Sequence, residues 1–440
     1  MAQWGYVPTL RTTLDFLFNP TKGQQTLANR KQNNSAPTSR ENVSLLTVDR
    51  AVHEFRRGRA VAITAGDGRA VLALAVEALT PKLLDMLIAA AETANKLQTA
   101  PQQKNCLVEL AITRRRAIRL GIGGDALGDN NSVLAVSFAG QPDGERLSRL
   151  ANPLANFMAD SPADSPADFV AKDGDINNAL VRAAPRFGAE AAAVALAKIA
   201  RLLPAAVFIT IGHEKTFDTA GWAARADIQL VDGGDIFQHE RTSAGTLKRV
   251  SEAAVPLEGA ENARVLAYRP VDGGVEHLAI VIGDPAEQKS PALIRLHSEC
   301  FTGDLLGSLR CDCGDQLRGA IAEIGKAGSG VLLYLAQEGR GIGLVNKLRA
   351  YTLQDDGLDT LDANEELGFD ADERVYLPAA QILKDLGLSK IRLLTNNPDK
   401  VTALGTFGIE VVERVPHAFP ANKHNERYLE AKKAKGGHLF

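Results

Sequence analysis

The feature of this sequence that most restricts its fold is a repeated succession of apolar run, helical stripe and apolar run in the C-terminal half. Leu317, Ala320, Ile321 and Ile324 recur at helical spacing and are followed by a buried-strand pattern over 331–335. Ile382, Leu383 and Leu386 form a second stripe, ended by Gly387, before another strand over 391–394. Asn396-Asn397-Pro398 then supplies an N-cap and an N1 proline for one more helix, which leads to a strand over 409–412. Strands separated by helices pair in parallel, so the chain is predicted to be α/β.

The N-terminal half repeats the alternation. Val48, Ala51, Val52 and Phe55 make a helical face with Thr47 as predicted N-cap and Gly58 as stop; a strand is predicted over 60–64. A strand over 107–112 runs into a short helix capped by Thr113 and closed by Leu120-Gly121, and a helix over 190–202 feeds a strand over 206–211. At 440 residues the chain exceeds one ordinary domain. The expected division is a flexible polar arm at 1–44, a first α/β domain at 45–212, a linker at 213–256 where periodicity weakens, and a second α/β domain at 257–440. The tandem Asp-Ser-Pro-Ala at 160–167 reads as an exposed loop.

Charge excludes some partners. The 50 Lys and Arg nearly cancel against 53 Asp and Glu, which leaves no broad basic field for nucleic acid. The most apolar stretch, 191–211, is interrupted by Lys198 and Arg201 and falls short of the roughly 18 uncharged residues that a membrane span needs. No basic start with an apolar run opens the chain, so a cytoplasmic setting with reduced thiols is expected. Of four cysteines, Cys106 stands alone and reads as a buried small hydrophobe.

Cys300, Cys311 and Cys313 follow C-x10-C-x-C, and in an extended backbone the last two thiols share a face. Three thiolates suit a catalytic zinc with an open fourth position, a structural site completed by His297, or no metal at all if the cysteines are merely buried. Arg295, Arg340, Arg349, Arg374 and Lys400 are expected near the carboxyl ends of strands, where α/β folds place ligands. Taken singly each is an ordinary solvated cation; together they suit phosphate. Thr395 and the Asn-Asn-Pro turn add a helix N-terminus. The glycine-rich Gly339-Arg340-Gly341-Ile342-Gly343 is weak evidence alone, and the P-loop pattern is absent. Asp372, two residues from Arg374, is a candidate proton acceptor kept ionised by the cation. The remaining histidines, His417 among them, lie in no metal-ligand constellation.

Six blocks carry a resemblance. Arg295-Leu296-His297-Ser298-Glu299-Cys300-Phe301-Thr302-Gly303-Asp304 and Gly307-Ser308-Leu309-Arg310-Cys311-Asp312-Cys313-Gly314-Asp315-Gln316-Leu317 are followed by Gln337 to Leu344 and Asn346 to Tyr351. Leu367-Gly368-Phe369 with Ala371 to Arg374, and Leu393 to Pro398, complete them. In order and spacing, from about residue 256 to Gly437-His438-Leu439, they resemble GTP cyclohydrolase II. The resemblance implies hydrolysis of GTP to 2,5-diamino-6-ribosylamino-4(3H)-pyrimidinone 5′-phosphate, formate and pyrophosphate, the first step of riboflavin synthesis. It implies zinc on Cys300, Cys311 and Cys313, which activates water for attack at guanine C8, and magnesium on the substrate phosphates. It implies catalytic roles for Asp372, Arg374 and Tyr351. GTP contacts carry over to Arg295, Leu296, His297, Ser298, Glu299, Gln316, Glu338, Gly339, Arg340, Thr360, Thr395 and Lys400. A homodimer is a further expectation. One departure is Leu335-Ala336, where some relatives have a basic pair, which weakens triphosphate contact there.

The first domain resembles 3,4-dihydroxy-2-butanone 4-phosphate synthase in outline only. Where that family has an acidic run, this chain reads Thr64-Ala65-Gly66-Asp67-Gly68-Arg69-Ala70. Its Gly-His-Thr-Glu segment aligns with Phe187-Gly188-Ala189-Glu190, without the histidine, and a late catalytic glutamate falls at Thr210. One carboxylate cannot replace several, so a structural, dimerising or regulatory remnant without synthase activity is expected. The competing readings are a bifunctional enzyme, which the lost acids oppose, a nucleotide-sensing scaffold with a structural zinc, and a cyclohydrolase paralogue recruited to other chemistry.

Overall fold

Strands buried on both faces build two α/β domains in the computed structural model, which describes residues 39–98, 106–122, 132–155 and 179–420. The expected exposed loop at 160–167, most of the arm at 1–44 and the Gly437-His438-Leu439 block lie outside the described residues.

The first sheet contains β1 (Val61–Thr64), β2 (Arg69–Ala75), β3 (Glu109–Thr113), β4 (Val133–Ser137), β5 (Leu180–Ala183), β6 (Ala205–His213) and β7 (Gln229–Asp232). Their order is β5-β4-β3-β6-β2-β1-β7. Side chains alternate between two apolar layers: Leu72, Leu74, Leu110 and Ile112 join one, Val71, Ala73, Ala75 and Ala111 the other. The first layer is closed by α2 (Pro81–Lys96), α3 (Arg114–Arg119), α4 (Gly144–Ala151) and α6 (Thr219–Arg225). The second is closed by α1 (Ser39–Arg56), α5 (Ala189–Ile199) and α7 (Gly233–Gly245). The alanine-rich α5 is buried nearly all round, because small side chains let its backbone lie close to the sheet.

Three expectations are corrected here. The first helix starts at Ser39, so Thr47 is not a cap; its hydroxyl donates to the Val43 carbonyl at 2.8 Å inside the helix. Among the described strands of this sheet parallel pairing is confined to β1–β7, and β1 and β2 are joined by a tight turn and pair antiparallel. The expected linker at 213–256 is folded: β6 ends within it, α6, β7 and α7 complete the first domain, and β8 (Lys248–Ala254) opens the second. Periodicity is weak there because α6 is short, α7 buries only Gly233, Ile236 and Ala244, and β8 is exposed along its whole length, with no buried face to write an alternation.

The second sheet continues with β9 (Ala263–Arg269), β10 (His277–Ile282), β11 (Ala292–Ser298), β12 (Gly330–Leu335), β13 (Lys390–Leu394) and β14 (Glu410–Val415). The order is β14-β13-β11-β12-β10-β9-β8. β14, β13, β11 and β12 run parallel, as the strand–helix–strand pattern predicts, whereas β10, β9 and β8 extend the sheet antiparallel. The helices are α8 (Cys313–Lys326), α9 (Leu344–Asp355), α10 (Thr360–Glu366), α11 (Leu377–Asp385) and α12 (Pro398–Thr406). Asn397 caps α12 through Asp399 N–H at 2.8 Å, with Pro398 at its start.

Both domains belong to one compact unit, Thr38–Phe440. Leu203 of the first domain packs with Ile342, Ala350, Leu353, Leu367 and Phe369 of the second. Arg116, 2% exposed, donates to Glu366 at 2.6 Å and to the Leu150 carbonyl at 2.9 Å. The Thr113 hydroxyl donates to the Gly368 carbonyl at 2.6 Å. Gly368, at φ +90°, leaves no room for a side chain between Pro204, Thr113 and Arg116.

Candidate active site

β13, β11 and β12 lie side by side and parallel, so their carboxyl ends open at one edge of the sheet. From that edge come Arg295 to Ser298 at the end of β11 with Glu299 and Cys300 beyond it, Gln337 to Arg340 after β12, and Thr395 to Lys400 after β13. A cavity there is lined by Arg295, Leu296, His297, Ser298, Glu299, Gln316, Glu338, Gly339, Arg340, Thr360, Thr395 and Lys400, together with Cys300, Cys311, Cys313, Tyr351 and Arg374. Asp372 is not on its wall. Its carboxylate is bound by the Arg374 guanidinium, with Nε at 2.8 Å from Oδ1. Burial opposes ionisation of Asp372, but Arg374 outweighs it and holds the carboxyl below its ordinary value. Arg349 also departs from expectation: it points to Glu77 of the first domain at 2.9 Å rather than into the cavity.

The three thiols meet within 4.8 Å of one another. Their route differs from the extended strand expected. Cys300 ends the β11 segment and caps a wide helical turn at Phe301–Leu305, and Cys313 is the first residue of α8. Gly303 lies over them, where a Cβ would stand 2.7 Å from the Cys311 sulfur and 3.1 Å from that of Cys300. The Cys300 and Cys311 sulfurs are 3.8 Å apart. Two sulfurs bound tetrahedrally at about 2.3 Å to one ion stand about 3.8 Å apart, so the donor set fits zinc. Hydrogen bonds from the Cys311 and Cys313 thiols, with the Lys347 ammonium, pull the Cys300 thiol far below its usual value; the bond to Cys300 pushes Cys311 up to about 11. A metal held by all three sulfurs would displace the protons that remain on them.

His297 does not join the sulfurs. Its Nε2 donates to the Asp304 carboxylate at 3.0 Å, and its ring stacks on Tyr334. Burial keeps the ring neutral, so Nδ1 is a bare acceptor. That Nδ1, Arg295 Nε and Ser298 Oγ are buried without a hydrogen-bond partner in residues that line the cavity. Unpaired groups of this kind cost about 1–3 kcal/mol each until a ligand or water pairs them. Arg295, fully buried and lowered to about 10 by desolvation, donates to the Leu394 carbonyl at 3.0 Å and to Gln316, which in turn binds Asp312.

Lining residues that the sequence did not single out include Lys347 and His417. Lys347, one turn before Tyr351 on α9, places its ammonium 3.0 Å from Cys300 Sγ, 2.9 Å from Thr302 Oγ1 and 2.8 Å from Glu338. Its signal was the i, i+4 spacing from Tyr351, whose hydroxyl also meets Thr302 at 3.3 Å. His417, after β14, lines the cavity and approaches the Gln316 carbonyl at 3.0 Å. No local pattern marks it. Cys106 is half-buried, with its sulfur 2.9 Å from Asn95 Nδ2.

The sequence profile of the family described as GTP cyclohydrolase II matches residues 248–416, which begin at β8. The chain is 49% identical over 401 residues to a protein named GTP cyclohydrolase-2 from Azospirillum brasilense, covering 91% of this chain and 95% of the relative. It is 43% identical over 300 residues to a riboflavin biosynthesis protein RibBA from Bacillus cereus, covering 67% of this chain and 73% of the relative. Among solved structures, a two-domain 3,4-dihydroxy-2-butanone 4-phosphate synthase, RibBX, from A. baumannii matches 84% of this chain and 99% of its own, at 20% identity and a TM-score of 0.31.

Proposed function

The chain belongs to the GTP cyclohydrolase II family, and from that premise we propose that it hydrolyses GTP to the diaminopyrimidine ribosyl phosphate, formate and pyrophosphate in riboflavin biosynthesis. The observation that carries the reading is the convergence of three thiols and a set of guanidinium and ammonium groups on one cavity at the carboxyl edge of β13-β11-β12. Cys300, Cys311 and Cys313 would hold zinc, which when bound lowers the pKa of water toward neutrality.

The chain's own groups do the rest. Arg340, Arg374 and Lys400 gather positive charge for the triphosphate, to which magnesium adds its own. Arg374 stays protonated, so its role at the α-phosphorus is electrostatic stabilisation as pyrophosphate leaves. Asp372 is ionised, as a proton acceptor must be, and its bonds fix the orientation of Arg374. Burial raises the Tyr351 hydroxyl above its ordinary value, which keeps it a donor at neutral pH. The neutral His297 offers an acceptor, and the Arg295–Gln316–Asp312 chain a fixed donor, to the base.

For the first domain we propose no synthase activity. The acids at the expected positions are occupied by arginines: Asp67 accepts from Arg69 at 2.8 Å, and the fully buried Glu190 from Arg69 at 2.9 Å and Arg182 at 3.1 Å. Thr210 brings no carboxylate to β6. Among the described residues no helix is long and apolar enough to cross a membrane; a cytoplasmic homodimer is the expected form.

GTP turnover by purified protein of known metal content tests the reading, with Cys311→Ser and ribulose 5-phosphate as controls. Wild type should carry about one zinc per chain and release formate and pyrophosphate, and both zinc and turnover should be lost in Cys311→Ser. Zinc without turnover would favour a structural site. Product from ribulose 5-phosphate would reverse the assignment of the first domain.

A further inference from the structure

Lys198 and Arg201 are the two cations that interrupt the most apolar stretch of the chain, and the catalytic apparatus above does not use them. Lys198 lies in the last turn of α5 and Arg201 just beyond it, on the face of the first domain that meets the second. The Lys198 ammonium donates to Glu373 at 2.6 Å and approaches Asp370 at 3.5 Å. Glu373 stands between Asp372 and Arg374, but its carboxylate meets Lys198 of the first domain while its two neighbours form their own pair beside it. The same carboxylate oxygen accepts from the Asp370 N–H at 2.8 Å, which folds the loop back on itself.

That loop is zipped to the one carrying Arg340. Glu373 N–H donates to the Arg340 carbonyl at 3.0 Å. Gly341, at φ +99°, has no room for a Cβ, which would meet the Glu373 carbonyl at 2.9 Å. Arg340 itself holds a left-handed φ of +63°, a conformation that costs about 1–3 kcal/mol and persists only where the surroundings impose it. Arg201 supplies part of that imposition. Its Nη2 donates to the Ala336 carbonyl at 2.8 Å, its own carbonyl accepts from Asn346 at 3.0 Å, and its Cβ lies against Gly343.

We propose that Lys198 and Arg201 of the first domain are positioning residues for GTP hydrolysis: through Glu373 and Ala336 they set the loops that present Arg340, Asp372 and Arg374. The inference rests on the cyclohydrolase reading and gives the first domain a task in that reaction. Burial disfavours the Lys198 ammonium, but Glu373 and Asp370 more than restore it, so the clamp is charged at neutral pH.

The test uses the full chain with Lys198→Met, Lys198→Arg, Glu373→Gln and the exchange Lys198→Glu with Glu373→Lys. Two readouts are taken: GTP kinetics, and amide hydrogen exchange of Asp370 and Glu373. Lys198→Met should lower kcat about tenfold, since small misplacements of catalytic groups cost one to two orders of magnitude. It should speed exchange at both amides while zinc content stays at the wild-type level. Lys198→Arg should retain activity, and the charge exchange should exceed either of its single variants. Should Lys198→Met not fold, Glu373→Gln reads the same pair with little change of shape. Wild-type kinetics and unchanged exchange in Lys198→Met, or in Glu373→Gln in its place, would overturn the proposal. The exchange arm needs no turnover, so failure of the cyclohydrolase reading is told apart from failure of the clamp.

Discussion

Lys347 carries more of the site's electrostatics than its place in a charged block of sequence would indicate. Its ammonium is balanced by Glu338 and lies against a sulfur that a metal ligand must present as thiolate. Groups that support metal ligands typically contribute 10- to 100-fold in affinity, so Lys347→Met should weaken zinc retention by about tenfold in a chelator competition. His277 offers a pH test away from the chemistry. Burial, and then the charge of Arg201, lower it to about 4, and its Nδ1 accepts from Ala336 N–H at 3.1 Å. The unfolded chain takes up this proton near 6.5 and the folded one only near 4, so stability is full above the first value and drains between the two as pH falls. At about 1.4 kcal/mol per pH unit the loss is roughly 3–4 kcal/mol. His277→Asn keeps an acceptor and should flatten that part of the urea-midpoint profile; an unchanged slope would count against the buried neutral ring. At this scale the sequence was most legible where residues sit in contiguous motifs, as from Arg295 to Cys313. Lys347 was missed because its only local signal is the i, i+4 spacing to Tyr351, and His417 because its partner Gln316 lies 101 residues away, a contact that no periodicity records.

Elements were legible in proportion to how strictly one face is buried. β12 and β13, with α8 and α11, have apolar patterns that match their layers. β7 and β8 do not: one is a short edge strand and the other is exposed, and only pairing with β1 and β9 identifies them. The loop Gly339–Gly343 was weak evidence as a motif, yet its glycines have a definite steric reason. Gly341→Ala would drive a methyl into the Glu373 backbone. It should leave the thermal midpoint within a few degrees, because the loop is at the periphery of the core, while lowering GTP turnover by at least about tenfold. Full activity would mean that the two loops need not touch.

For the whole molecule, the division into two domains follows from length and periodicity, but their union does not. It is made by charged side chains from distant parts of the chain, Arg116 with Glu366 and Lys198 with Glu373, and by the small patch around Leu203. Breaking a buried pair from one side leaves an uncompensated charge. Glu366→Ala should therefore destabilise by about 3 kcal/mol or more, and by more than Arg116→Met, in denaturant titration of the full chain.

One cavity is proposed to open the guanine ring and also to cleave the triphosphate. GTP labelled with carbon-13 at C8, followed by NMR alongside pyrophosphate, separates the two steps. The label should leave as formate in equal amount to pyrophosphate. Pyrophosphate released with the label still in an intact guanine, or no consumption of GTP by zinc-loaded protein, would contradict the proposal.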